Sequence, residues 1–177
     1  MGPSDKTQGR LSITPLHGEE EARVCARLMS TSEPWITLGR NFETSLTIVK
    51  DPTREVYVAR GENGVAGFVI LCLTGAFVGY IQTVCVDPHH RGQGLGTKLV
   101  EFAEEKILRV SPNVFMCVSS FNDGARRLYQ RMGYTAIGEL TDLSFRDTRR
   151  FCFGKRWVLS PTSASPAESM ARWRAPR

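Results

Sequence analysis

The chain has 177 residues, and its 23 lysines and arginines against 18 aspartates and glutamates give it a net charge of +5. A chain of this length can form one domain with a sizeable hydrophobic core. The longest apolar stretch, Val65–Val78, is interrupted by glycine and threonine and is too short to cross a bilayer, so we predict no membrane segment. The start of the chain has no apolar signal region, which favours a cytoplasmic protein.

The first part of the chain is predicted to hold one strand and two helices. Residues 1–9 are interpreted as a flexible leader. Alternating apolar residues favour a strand over Arg10–Leu16. Apolar residues at helical spacing predict helices over Glu19–Ser30 and Trp35–Val49, the second with Ser32 as a candidate N-cap.

Three strands are predicted next, and short turns join them. They cover Glu55–Arg60, Val65–Leu73 and Ala76–Val86. The first two are separated by Gly61–Gly64, which has the composition of a hairpin turn. Strands joined by such short turns run antiparallel, so we expect a three-stranded meander.

The second half alternates helices and strands. A helix is predicted over Leu95–Val110, then a strand over Val114–Ser119, a helix capped by Asn122, and strands over Tyr134–Leu140 and Arg149–Val158. The resulting order, βααβββαβαββ, predicts an α+β fold in which helices flank a mixed sheet.

The composition changes after the last predicted strand. Residues 160–177 are rich in serine, proline and alanine and are interpreted as a tail, which leaves 10–159 as the folded domain. Met170 and Trp173 are candidates for anchoring this tail to the domain or to a partner.

A glycine-rich loop joins the third strand of the meander to the following helix. The strand stops at Asp87-Pro88, and the loop reads Arg91-Gly92-Gln93-Gly94-Leu95-Gly96. Glycines at alternate positions remove side chains that would keep a ligand from the backbone. The unpaired amides at the helix start then favour an anion. The loop therefore predicts a site for a phosphate-bearing ligand.

Two familiar phosphate motifs do not fit this loop. The nucleotide-hydrolase motif needs lysine and then serine or threonine directly after its last glycine, but Lys98 is one position late. The dinucleotide fingerprint would need glycine at Thr97 or Leu99. The pattern that does fit is [R/Q]-x-x-G-x-[G/A].

A second motif supports the first. The segment Asn122–Tyr134 predicts a short helix with Asn122 as N-cap and Gly133 at its C-terminal end. Its apolar face is formed by residues at three- and four-residue spacing, namely Ala125, Leu128, Tyr129 and Met132.

Together the two motifs resemble the GNAT superfamily of acyl-CoA N-acyltransferases, over roughly Arg10 to Trp157. The second motif is similar to the family pattern N-x-x-A-x-x-L-Y-x-x-x-G-[FY]. The resemblance implies a mixed, mostly antiparallel central sheet of about seven strands with about four helices. It also implies acetyl-CoA as the co-substrate.

The resemblance assigns roles to residues of both motifs. The loop would hold the pyrophosphate, Asn122 would contact the coenzyme, and Tyr129 would act as the acid beside the sulfur. Backbone amides of Val84 and Val86 would contact the acetyl and pantetheine groups. The implied coenzyme contacts are Val84, Cys85, Val86, Arg91, Gly92, Gln93, Gly94, Leu95, Gly96, Thr97 and Asn122. The Cys85 thiol is predicted to point into the core rather than to act as a nucleophile.

The general base is less clearly marked. Many relatives carry a glutamate on the strand before the loop, whereas Ala76–Val86 contains no carboxylate. Tyr80 and Gln82 are expected to share a face with Val84 and could order a water chain that removes the proton. Glu33 or Glu43 from the first helices are further candidates, and the enzyme could instead bind an amine that is already neutral.

The sequence therefore predicts an enzyme that transfers acetyl from acetyl-CoA to a primary amine, a small amine or a protein N-terminus, by direct attack in a ternary complex. The alternative hypothesis is a non-catalytic acyl-CoA sensor. The five scattered cysteines and three histidines lack ligand spacing, so no metal is predicted. The dispersed arginines disfavour nucleic acid. Homodimer formation through the last strands is a hypothesis.

Overall fold

The computed structural model describes residues 11–62, 64–141, 149–156, 158–159 and 173–174. The helices are α1 (Gly18–Ser30), α2 (Phe42–Val49), α3 (Leu95–Ile107) and α4 (Asp123–Arg131). The strands are β1 (Ser12–Pro15), β2 (Glu55–Gly61), β3 (Gly64–Cys72), β4 (Tyr80–Val86), β5 (Asn113–Ser119), β6 (Thr135–Leu140), β7 (Arg150–Arg156), β8 (Val158–Leu159) and β9 (Trp173–Arg174). Short 3-10 turns cover Gly75–Phe77 and Pro88–His90.

Strands β1 to β7 form one sheet in the order β1-β2-β3-β4-β5-β7-β6. Strand β7 lies between β5 and β6 and runs antiparallel to both. Among the described strands, β4 and β5 are the one parallel pair of this sheet, and their ladder is limited to the pairing of Tyr80 with Phe115. Beyond this pair β4 and β5 separate, so the sheet is open between their C-terminal parts, at Val84 and Ser119. The predicted α+β fold, element order and antiparallel meander are confirmed.

A β-bulge changes which side chains of β4 share a face. Ile70 of β3 pairs with Thr83, but Leu71 pairs with Ile81, so Gln82 is an extra residue in β4. As a result Ile81 and Val84 pack in the same cluster, although strict alternation would separate them. The expectation that Tyr80 shares a face with Val84 is therefore wrong.

The hydrophobic core consists of two clusters, one on each side of the sheet. The first packs α3 and the tyrosine of α4 against the sheet, with Leu99, Val100, Ala103 and Ile107 fully buried. The second packs α1 and α2 against β2, β3 and β4, and it contains Cys85. The prediction that the Cys85 thiol points into the core is confirmed.

The second helix is shorter than predicted. We expected a helix over Trp35–Val49, but α2 begins at Phe42, and the preceding residues form turns. Gly39 adopts a left-handed conformation, with φ of +69°, which a continuous helix does not allow. Asn41 then caps α2, because its Oδ1 accepts a hydrogen bond from the Thr44 amide at 2.9 Å. The N-cap role expected of Ser32 is therefore wrong.

Other boundaries move by a few residues. Strand β4 begins at Tyr80 rather than Ala76, because Gly79 has φ of +93° and its amide bonds back to the carbonyl of Cys72 at 2.9 Å. Helix α3 ends at Ile107 rather than Val110. Strand β1 is shorter than predicted, and α4 with its Asn122 cap is as predicted.

The predicted leader and most of the predicted tail lie outside the described residues. In the tail the structure describes β9, which pairs antiparallel with β8. In the described part of the chain, no helix combines the length and the apolar character needed to cross a membrane. The same residues contain no cluster of three or more side chains suited to holding a metal ion.

Candidate active site

The glycine-rich loop has the backbone conformation of an anion site. Gly92 and Gly94 adopt left-handed conformations, with φ of +74° and +80°, and a Cβ on either would meet no atom of the described residues within 4 Å. The space beside both glycines is therefore open to a ligand. The first intrahelical bond of α3 runs from the Lys98 amide to the Gly94 carbonyl, so the amides from Gly92 to Thr97 have no partner among the described residues.

Side chains around the loop hold its shape. The Asp87 carboxylate accepts a hydrogen bond from the His89 amide at 2.9 Å and lies 3.3 Å from Nδ1 of His90. The Arg91 Nε donates to the Val86 carbonyl at 3.1 Å. Gln93 points away from the cleft, because its amide nitrogen donates to the His89 carbonyl at 3.0 Å. Of the predicted coenzyme contacts, Gln93 can therefore offer only its backbone.

A cleft of about 690 Å³ runs from this loop between α3 and α4 and is called here the loop cleft. Ten of the predicted coenzyme contacts line it: Val84, Cys85, Val86, Arg91, Gly92, Gly94, Leu95, Gly96, Thr97 and Asn122. Because the Cys85 side chain is buried under α1, only its backbone faces the cleft. The Asn122 Oδ1 caps α4 through the Ala125 amide at 3.1 Å.

A second, smaller cavity of about 110 Å³ continues from the loop cleft and is called here the inner cavity. It occupies the opening between β4 and β5 and is closed by the turns before α2. The two spaces share six lining residues, which mark their junction: Glu33, Trp35, Val84, Asn122, Ala125 and Tyr129. A ligand bound in one space can therefore meet a ligand bound in the other.

Tyr129 is buried at this junction, with 8% of its surface exposed, and its ring packs edge-on against Tyr134 at 6.0 Å between centroids. Burial raises the pKa of the Tyr129 hydroxyl to about 12. The side chain is therefore protonated at neutral pH and can donate a proton.

The structure separates the candidates for the base. Gln82 lines the inner cavity, and its Oε1 is buried with no hydrogen-bond partner among the described residues. Glu33 lies at the junction, where its carboxylate accepts hydrogen bonds from the Thr37 hydroxyl at 3.0 Å and amide at 3.3 Å. Glu43 is exposed on α2 and lines neither space. Tyr80 lines the inner cavity, and burial raises the pKa of its hydroxyl.

The structure also places residues here that the sequence did not single out. Arg131, at the end of α4, lines the loop cleft with Arg91. Arg40 and Arg150 line the inner cavity, from the segment before α2 and from β7. In the sequence the arginines are dispersed, and no local motif marks the ones that line a cavity.

Comparisons with known proteins agree with this geometry. The sequence profile described as the acetyltransferase (GNAT) family matches residues 21–134. An acetyltransferase of Agrobacterium fabrum is 37% identical over an alignment of 79 residues, and the match covers 41% of this chain and 57% of that protein. The N-alpha-acetyltransferase RimI of Mycobacterium tuberculosis is 27% identical over an alignment of 134 residues, and the match covers 72% of this chain and 78% of that protein. A solved GNAT-family protein of Desulfovibrio desulfuricans has the same fold, with a TM-score of 0.69 at 18% identity over 83% of this chain and 99% of that one.

The chain belongs to the acetyltransferase (GNAT) family. It spans little more than half, 57%, of the length of the Agrobacterium relative.

The residues present fit a bound coenzyme diphosphate. The loop offers unpaired amides at a helix N-terminus, where the helix dipole favours negative charge. Gly92 and Gly94 leave open the space that a Cβ would fill, and Arg91 and Arg131 add positive charge along the cleft.

Proposed function

We propose that the protein transfers an acetyl group from acetyl-CoA to a primary amine, a small amine or a protein N-terminus, by direct attack within a ternary complex. The observation that carries this proposal is the meeting of the loop cleft and the inner cavity at Tyr129. One space can hold the coenzyme while the other holds the amine. The name of the mycobacterial relative refers to an alpha-amine, which supports amino groups of this kind among the acceptors.

The coenzyme supplies an activated acetyl thioester, and the loop amides hold its diphosphate so that its reactive end lies toward the junction. Tyr129 is protonated over the working pH range because burial raises its pKa to about 12. Its hydroxyl donates a proton, or a hydrogen bond, to the departing sulfur. Val84 borders both spaces and positions the acetyl group between them.

The amine must lose a proton, because an ammonium has no lone pair with which to attack. The buried Oε1 of Gln82 can accept a hydrogen bond from the amine or from a water beside it. Glu33, held by Thr37 at the junction, can take the proton onward to solvent. We assign the base to Glu33 acting with Gln82, because Glu43 lies outside both spaces.

Thiol release from acetyl-CoA in the presence of a panel of primary amines tests this proposal. Tyr129→Phe and Glu33→Gln are each expected to lower kcat by about 100-fold or more. Both variants should keep the wild-type Kd for acetyl-CoA in calorimetry. Glu43→Gln is the matched control, a glutamate on the neighbouring helix outside the cavities, and should retain wild-type turnover.

Two results would contradict the proposal. Equal effects of Glu33→Gln and Glu43→Gln on kcat would contradict the assignment of Glu33 as the base. A folded protein that binds acetyl-CoA but acetylates no amine in the panel would favour the sensor hypothesis instead.

A further inference from the structure

Two arginines lie together at the inner cavity, on the acceptor side of the proposed site. Arg150 is the first residue of β7 and pairs with Ser119 of β5, and Arg40 approaches from the segment before α2. Both arginines line the same cavity as Tyr80, and both residues are partly buried. They come from parts of the chain 110 residues apart, so the fold alone brings them together.

Neither arginine is neutralised by a carboxylate in the described part of the chain. The Nε of Arg150 is buried, and none of the residues that the structure describes forms a hydrogen bond with it. The pKa of Arg40 is lowered, first because the group is buried and second because Arg150 is close. Elsewhere partly buried arginines are paired, as Arg60 is with Glu21 at 2.6 Å. The carboxylate of Glu33 also lines the inner cavity, but it lies at the junction and is bonded to Thr37.

Two like charges held side by side in a confined space repel each other and lose solvation. An anion between them would relieve both costs. Guanidinium groups match carboxylate and phosphate oxygens through paired N–H donors, which makes arginine the usual side chain for recognising such groups. A cationic acceptor such as a polyamine would meet repulsion at the same place.

We propose that the amine acceptor carries a carboxylate or another oxyanion, which Arg40 and Arg150 bind while the amino group lies near Tyr129. This inference rests on the proposed acetyl transfer and names its acceptor class. An amino acid and a peptide with an acidic residue close to its N-terminus both have this chemistry. Polyamines and neutral alkylamines do not.

Matched acceptor pairs test the proposal. Each pair consists of an amino acid and its carboxamide, which differ only in the anionic group. The amino acids are γ-aminobutyrate, ω-amino acids with longer chains, and L-α-amino acids. A peptide pair with glutamate or glutamine as the second residue distinguishes peptides from free amino acids, and spermidine represents cationic acceptors. The quantity measured is the ratio of kcat/KM for the acid to that for its neutral partner.

The wild-type protein should prefer the acid by about tenfold or more in at least one pair, and should use spermidine poorly. Arg40→Met and Arg150→Met should each bring that ratio close to one. The matched control is Arg149→Met, since Arg149 is exposed and pairs with Glu139 at 3.5 Å outside the cavity. It should keep the wild-type ratio. Circular dichroism and acetyl-CoA binding show whether each variant is folded.

The proposal is overturned if amides or spermidine are preferred by the wild type, or if the two variants leave the ratio unchanged. A failure of acetyl transfer is recognised separately. If no amine is turned over, calorimetric titration of γ-aminobutyrate into the coenzyme A complex still tests the anion site. Binding that Arg150→Met abolishes and Arg149→Met preserves supports the site, and equal binding by both variants refutes it.

Discussion

The conformation of Gly94 allows a substitution test that separates ligand binding from folding. Gly94 has φ of +80°, and in the described part of the chain no atom lies within 4 Å of where its Cβ would be. Gly18, at the start of α1, has φ of +71° and the same open surroundings, but it lies outside the loop cleft. Alanine at either position therefore imposes the same backbone strain, about 1–2 kcal/mol. Only Gly94→Ala places a methyl group where we expect the diphosphate.

The charge effect can be estimated separately with Gly94→Glu. A carboxylate about 4–6 Å from a phosphate costs about 3–4 kcal/mol at an effective dielectric constant of about 20. That cost corresponds to a loss of about 100-fold to 1,000-fold in affinity. The strain lowers Tm by about 2–8 °C in Gly18→Ala and Gly94→Ala alike.

Calorimetric titration with acetyl-CoA and thermal unfolding of the free proteins measure the two effects. We expect Gly18→Ala to lose stability and keep the wild-type Kd. Gly94→Ala should lose similar stability and also bind more weakly, and Gly94→Glu should bind least. The reasoning is refuted if folded Gly94→Glu keeps an affinity within about threefold of wild type, since a binding loop cannot accept a like charge at so small a cost.

Two further predictions concern stability. A Cβ on Gly79 would overlap the Asn113 carbonyl oxygen at a φ of +93°, so Gly79→Ala should cost about 3 kcal/mol or more in urea unfolding. Gly75→Ala, with φ of +74° and no described atom within 4 Å of the Cβ, should cost about 1–2 kcal/mol, and equal losses would contradict the steric argument. Tyr129 has a pKa of about 12 in the folded state against about 10 in the unfolded state. The stability that this difference contributes is therefore complete below pH 10 and is lost as the pH rises toward 12. Above pH 10 the free energy of unfolding should therefore fall less steeply with pH in Tyr129→Phe than in the wild type. The difference in slope is up to about 1.4 kcal/mol per pH unit, and equal slopes would count against this pKa.

Much of the fold could be predicted because hydrophobic spacing within each segment determines what that segment can bury. The order of strands and helices and the antiparallel meander followed from that spacing. The prediction for Trp35–Val49 was wrong where two local signals compete. Apolar spacing favours one long helix, but Gly39 enters the left-handed region and Asn41 starts a new helix.

The glycine-rich loop was predictable for a related reason. Its glycines, its unpaired amides and the helix start are consecutive residues, so the local sequence contains the backbone part of the candidate anion site. The N-cap of α4 is similar, since Asn122 and the amide that it accepts from are three residues apart. The sequence by itself therefore determined the glycine-rich loop and its open helix N-terminus, and these are the features on which the predicted coenzyme site depends.

Only the tertiary structure decided which residues form the inner cavity, which meets the loop cleft at Tyr129. The opening between β4 and β5, the bulge at Gln82 and the insertion of β7 between β5 and β6 all depend on pairings between distant segments. Those pairings bring Glu33 to the junction, leave Glu43 outside it, and place Arg40 beside Arg150. No local pattern marks these positions, because each becomes part of a cavity only when strands far apart in the chain lie next to each other.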